Sequence, residues 1–219
     1  MKNKLHLIAD PLCGWCFGAA PLLSATRQIP DLTIVLHCGG LFSGPNSQLL
    51  EAGMRQYILS HHERILQLTG QDVGEKFHTL LDSGKAMLDS TPPIRGILTA
   101  EAATGAALDY YQALIKAHFI DGRPVTETQT LQAIAEECGI DGERYSQAFA
   151  ELDESAVSAH ILATRQFMHE VGSQGFPSFV FEQGSQRQLI NHHHYYDDPQ
   201  GWQKRLEKLL VESREQTMH

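Results

Sequence analysis

An α/β fold in two halves, a β-α-β unit and a β-β-α unit parted by a long helical insertion, is what this sequence predicts. Three observations carry that expectation. Short apolar runs of strand character lie near the two ends of the chain, at Lys4 to Ala9, Leu32 to Cys38, Ser178 to Glu182 and Arg187 to Asn191. Between Gly44 and about Gly172 the apolar residues recur with helical spacing, and no convincing strand interrupts them. Cys13-Gly14-Trp15-Cys16 follows the first strand directly, and Phe176-Pro177 directly precedes the third.

Each element has a local cause. Asp10-Pro11 breaks the first strand just before a helix expected to run to about Gln28, with a kink at Pro21, where a donor is lost and the ring clashes with the preceding turn. Gly39-Gly40 ends the second strand. In the insertion, Leu50, Met54, Tyr57, Ile58, Ile65 and Leu68 form a helical stripe stopped by Gly70. Ala100 to Phe119 is alanine-rich and also helical. Thr126 with Gln129 predicts a capping box before Leu131, Ile134, Ala135 and Cys138, closed by Gly139. Asp153 or Ser155 starts a long helix through Val157, Ile161, Met168 and Val171. A turn at Gln183-Gly184-Ser185 joins the last two strands, and Asp198-Pro199 opens a final helix carrying Trp202, Leu206, Leu209 and Leu210. The order is that of a thioredoxin-like fold, with residues 1–43 and 173–219 as its two parts and residues 44–172 as a helical insertion domain.

The two cysteines of Cys13-Gly14-Trp15-Cys16 have the spacing of a redox dithiol. A thiol at a helix N-terminus meets unsatisfied N–H groups and the helix dipole, which favour the thiolate over the ~8.5 acidity of a free cysteine. A second thiol one turn deeper can close a disulfide with it, so the pair can alternate between dithiol and disulfide through a mixed disulfide. Cys13 is therefore the expected exposed nucleophile and Cys16 the resolving thiol. A zinc site needs a second pair, and Cys38 and Cys138 are isolated in the sequence, so no metal is expected. Gly14-Trp15 lacks a histidine able to hydrogen-bond the thiolate, which points to a less oxidising protein. Trp15 can offer an apolar platform to an extended polypeptide or shield the dithiol by packing. Asp10 and Pro11 support the dithiol, Asp10 as a cap of its helix in preference to a proton-transfer group.

Asp10-Pro11-Leu12-Cys13-Gly14-Trp15-Cys16-Phe17-Gly18 resembles the Asp-Pro-x-Cys-x-Trp-Cys-x-Gly signature of the DsbA-like family, in its FrnE-type branch of protein-disulfide isomerases and oxidoreductases. Gly39-Gly40-Leu41, Ser90-Thr91-Pro92-Pro93 and Gly175-Phe176-Pro177 are similar to further motifs of that branch. The resemblance implies oxidoreductase chemistry at Cys13 and Cys16, a cis proline at Pro177, and a backbone at Phe176 that pairs with a substrate strand by β-augmentation. It implies no bound cofactor beyond the redox-active cysteine pair. Protein or peptide thiols and disulfides are the partners implied, with glutathione or a thioredoxin-type reductant as the electron donor. The same superfamily contains glutathione-dependent isomerases and transferases, which typically keep a lone serine or cysteine where this chain has Cys16. A non-catalytic chaperone whose insertion offers an apolar groove is the third reading.

Composition narrows the partners. The chain has 219 residues, 42% of them hydrophobic, enough for a substantial core. A formal charge of −9 and the lack of a basic cluster argue against nucleic acid or an anionic membrane surface. The first ten residues lack the apolar stretch and cleavage site of an export signal, and unpaired cysteines suit a reducing compartment, so a cytoplasmic location is expected. Cys38 and Cys138 read as small buried hydrophobes. His192-His193-His194 reads as a solvated strand end, because consecutive residues of an extended segment cannot all point one way. Tyr195-Tyr196 reads as cover for the sheet edge.

Overall fold

The structure, a computed structural model, describes residues 3–84 and 86–217; the outer limits of the expected division, Met1 and His219, lie outside them. Its main sheet has four strands. β1 (Asn3–Ala9) is central and buried along nearly its whole length, which is why it reads as a continuous apolar run instead of an alternating one. β2 (Leu32–Cys38) lies parallel to it, from Asn3 opposite Leu32 to Ala9 opposite Cys38. β5 (Ser178–Gln183) runs antiparallel on the other side of β1, with Leu7 opposite Phe179, and β6 (Gln186–Ile190) completes the hairpin.

The pleat divides the sheet between two layers. Leu5, Leu7, Phe179 and Phe181 face α2 (Ala20–Thr26) and α10 (Pro199–Thr217), where Trp202 stacks edge-on to Phe179 at 4.9 Å and donates its indole N–H to Thr26 Oγ1 at 2.9 Å. Ile8 and Val180 point the other way, onto Met168 of α9 (Glu154–Glu170). One buried cluster continues from Leu5 and Phe17 through Ile94, Tyr110 and Leu131 to Trp202.

The segment after Cys13 is two helices. α1 (Gly14–Gly18) stops at Ala19, and α2 restarts with Pro21 in its first turn, where the missing donor is harmless. The kink expected at Pro21 is a full break. Among the insertion helices, α3 (Ala52–Thr69) ends on Gly70 as its stripe predicts. α4 (Glu75–Asp82) follows. The stretch from Ala100 to Phe119 is helical as expected, but divided between α5 (Thr91–Thr104) and α6 (Ala107–Phe119), parted at Gly105, whose φ of 72° takes the chain left-handed. The Thr126–Gln129 capping box does not form. A turn in which the Glu127 N–H donates to the Pro124 carbonyl at 3.1 Å moves the N-cap of α7 (Thr128–Glu137) to Glu127, without a side-chain cap bond. Asp141 caps α8 (Gly142–Glu151), and Asp153 caps α9 through the Ala156 N–H at 2.9 Å. The insertion also holds a small ribbon, β3 (Gln48–Leu49) against β4 (Met87–Leu88), where none was expected. Strands of two residues carry no periodicity to read.

Glycine lets α1 lie against α3. A Cβ on Gly18 would fall 2.8 Å from Ile65 Cγ2 and 3.1 Å from Thr69 Cγ2, and one on Gly14 would fall 3.0 Å from Ile65 Cδ1. A larger side chain at Gly18 must push the helices apart, so Gly18→Leu is expected to lose about 1–3 kcal/mol of stability. Urea denaturation checks this: the midpoint should fall with little change in m.

Burial also sets an acid limit on the fold. It is the first cause that pushes His37, His62, His118 and His192 each down to about 4. Groups kept neutral in the native state and free to protonate at about 6.5 when unfolded contribute stability above that pH, lost as pH falls towards 4. Denaturation midpoints measured from pH 7 to pH 4 should therefore fall steadily, and a flat profile would contradict the burial of these rings.

Candidate active site

Cys13 ends the loop after β1 in an extended conformation and serves as N-cap of α1, its Sγ accepting the Cys16 N–H at 3.4 Å. The thiol of Cys13 also points at the Phe176 carbonyl, 3.7 Å away. The Phe176-Pro177 peptide bond is cis, and this turn leads into β5 against the N-terminus of α1. The structure thus brings Cys13, Gly14, Cys16, Phe176 and Pro177 together. Both thiols are free, and both are buried, Cys13 at 5% exposure and Cys16 at 3%. Cys13 is therefore not exposed as expected: it is buried, with the Phe176 turn packed against its thiol. Burial pushes the Cys16 thiol well up, and the neighbouring Cys13 sulfur adds to the effect.

Asp10 does not cap α1. Its carboxylate is fully buried and accepts three hydrogen bonds, from the Leu12 N–H at 2.9 Å, the Leu41 N–H at 2.7 Å and the Ser90 hydroxyl at 2.9 Å. Ser90 Oγ accepts the Phe42 N–H in turn at 3.1 Å. One carboxylate therefore ties the dithiol loop, the loop after β2 and the start of α5, while the cap falls to Cys13. Burial raises Asp10 above the usual carboxylate range against the pull of those bonds.

Trp15 is half-buried, its ring 6.0 Å from that of Tyr196. Tyr196 is itself buried, donor or acceptor to His192 at 3.1 Å, so it packs beside the dithiol instead of covering a sheet edge. His192 is buried at 5% exposure against Phe179, and residues His193–Tyr195 form a short 3-10 turn, so only His193 and His194 are solvated. Cys38 is buried as expected. Cys138 is only half-buried, because it is the C-cap of α7. Among the described residues no cluster of three His, Cys, Asp or Glu side chains could hold a metal ion.

Two contributors carry no sequence signal. Tyr111 of α6 is fully buried, and the acidity of its phenol is depressed first by burial and then by Cys16, Cys13, Cys38 and Asp10. Arg165 of α9 donates to the Gly39 carbonyl at 2.6 Å and the Gly40 carbonyl at 3.1 Å, with its guanidinium 5.0 Å from the centre of the Phe176 ring. Gly39 accommodates that ring, since any Cβ there would overlap it. Gly39→Ala should therefore displace Phe176 from beside Cys13 and slow disulfide exchange about tenfold while costing about 1–3 kcal/mol. Stopped-flow exchange kinetics check this, and unchanged rates would mean that the ring is free to move without consequence.

A dithiol at the first turn of a helix, set against a cis-proline turn on a β2-β1-β5-β6 sheet, defines a thioredoxin-fold protein of the disulfide oxidoreductase class. The chain belongs to the DSBA-like thioredoxin domain family, whose profile matches residues 5–195. It is similar to the cytosolic disulfide reductase DsbM from Pseudomonas aeruginosa, with 35% identity and a TM-score of 0.87 over 95% of this chain and 98% of that one. A structure of the same reductase with GSH aligns with the same identity and TM-score, over 95% and 99%. Pseudomonas aeruginosa DsbA shares the fold at 11% identity, with a TM-score of 0.56 over 100% of this chain and 87% of that one. No curated protein sequence matches the chain. No helix among the described residues is long and apolar enough to cross a membrane.

Proposed function

We propose that this protein reduces disulfides of proteins and peptides in the cytoplasm, through the Cys13–Cys16 dithiol, and is returned to the dithiol form by glutathione. The observation that carries the reading is the unequal placing of the two thiols. Cys13 Sγ receives a peptide N–H and lies beside the Phe176 carbonyl, whereas Cys16 is held as a thiol by burial. Cys13 thiolate attacks one substrate sulfur; the Cys13–substrate disulfide forms, the substrate S–S bond breaks, and the other substrate sulfur leaves as a thiolate. Cys16, on losing its proton, attacks Cys13 Sγ and releases the second substrate thiolate. The substrate gains two electrons and the pair becomes a disulfide. Two glutathione molecules restore the dithiol and leave as glutathione disulfide. The Phe176 backbone offers an incoming extended chain a main-chain partner, which gives affinity with little sequence demand. The 35% identical disulfide reductase, known with GSH, supports both the direction and the donor.

The test is a redox titration of the pair against glutathione, followed by turnover of a fluorogenic peptide disulfide with glutathione and its recycling system. A potential well below the oxidising extreme of about −120 mV, with glutathione-dependent turnover, is the expected result. A potential at or above that value would overturn the reductive assignment.

A further inference from the structure

Between the N-terminus of α1 and helices α3, α4 and α6 lies a cavity of about 120 Å3, with Cys13 and Trp15 on one wall and Ile58, Phe77 and Leu81 on the other. No Asp, Glu, Lys or Arg lines it. Two histidines do. His62 and His118 are each only 8% exposed, and the Nδ1 atom of each is buried with no hydrogen-bond partner among the described residues. Burial keeps both rings neutral, at about 4. In a neutral ring each unpartnered Nδ1 is either a lone-pair acceptor or an N–H donor, and a hydroxyl, which both donates and accepts, meets either. A buried polar atom left unpaired costs about 1–3 kcal/mol.

We propose that this cavity is a substrate pocket for the side chain flanking the reacting cysteine, and that it takes an uncharged aromatic ring bearing a hydroxyl, the side chain of tyrosine. Three features fit that occupant. At about 120 Å3 the cavity is somewhat smaller than the apolar cavity of about 150 Å3 that takes up benzene, so it holds one six-membered ring at most. A phenol brings a hydroxyl able to pair with an unpartnered Nδ1 of His62 or His118, while its ring meets Phe77 and Leu81. Cys13 itself lines the cavity, so a chain held on its sulfur delivers the neighbouring residue to the opening. The pocket sets a preference that backbone pairing at Phe176 cannot supply. The inference rests on the assignment of Cys13 as the attacking thiol only for the last of these features.

The experiment has two arms. In the first, p-cresol and toluene are titrated against the protein with Trp15, which lines the cavity, as a fluorescence reporter. The expected result is saturable binding, about tenfold tighter for p-cresol, the equivalent of roughly 1.4 kcal/mol for one relieved polar atom. His118→Phe should erase the difference between the two probes, and Ile58→Trp, a half-buried position at the cavity wall, should abolish binding of both. His62→Phe provides a second reading should His118→Phe fail to fold. In the second arm, peptide disulfides with Tyr, Phe, Leu or Lys beside the cysteine are reduced under identical conditions, with kcat/KM expected to be greatest for Tyr and least for Lys. Equal affinity for p-cresol and toluene, or binding unchanged in Ile58→Trp, overturns the pocket whatever the turnover. Uniform kcat/KM across the panel overturns it as a substrate site while leaving the reductase intact. Tight p-cresol binding with no turnover of any peptide fails the reductase assignment and leaves the pocket standing as an aromatic site.

Discussion

Cys13→Ser is expected to abolish disulfide exchange, a loss on the order of a thousandfold or more, because the attacking atom itself is removed from a unit that works as a whole. Cys16→Ser is expected to behave differently. Its Cys13 still attacks, but the mixed disulfide cannot be resolved from within, so the substrate stays covalently attached and is recovered as an adduct. Intact mass spectrometry after incubation with a peptide disulfide reads both outcomes. The contrast follows from position: Cys13 is the N-cap of the helix beside the Phe176 turn, and Cys16 lies one turn in, close to Asp10. Equal turnover by the parent and both variants would remove the dithiol from the chemistry.

Asp10→Ala is expected to be the most damaging substitution for stability outside the hydrophobic core, at roughly 3–5 kcal/mol. It strands the Leu12 and Leu41 N–H groups and the Ser90 hydroxyl, and it unties three segments at once. Thermal unfolding should show a drop of about 10 °C or more. Asp10→Asn removes the charge while its amide oxygen can still accept from the Leu12 N–H and the Ser90 hydroxyl, but its NH2 group cannot accept from the Leu41 N–H, so one bond is lost with the charge. Because burial raises Asp10 in the folded protein, its contribution is present below the ordinary aspartate range and is lost as pH rises through its raised value. The asparagine variant should lack that part of the pH profile. With no charge at residue 10, the Cys16 thiol should also titrate lower, which thiol alkylation rates against pH would report.

Much of this architecture is legible in the sequence because its causes are local. The strands announce themselves by β-branched and aliphatic runs, α3 by its stripe and terminal glycine, and α9 by its aspartate cap. What stays hidden is what depends on distant partners. The β3–β4 ribbon is two residues deep on each side, so only pairing makes it visible. Gly105 inside an alanine-rich run is a tolerated helix residue or a stop, and the packing of α5 and α6 decides for the stop. The site divides in the same way. Cys13, Cys16 and Pro177 stand out because the proposed chemistry requires particular residue types, whereas Arg165, Tyr111, His62 and His118 belong to ordinary amphipathic helices and gain a place beside the dithiol only through folding. Asp10 was legible as a residue that matters and misread in its job, since an aspartate before a helix caps far more often than it knots three loops together.

Cys13 and the Phe176 carbonyl it faces are separated by 163 residues of chain. At synthesis rates of roughly 5–20 residues per second, on the order of ten to thirty seconds pass between the emergence of the thiols and that of the turn which shelters them. During that interval the ribosome-bound chain carries two adjacent thiols with no lid. Any low-molecular-weight disulfide in the surroundings can then cap them before the sheet closes. Newly made protein from oxidatively stressed cells should therefore carry more blocked Cys13 than protein that matured before the stress.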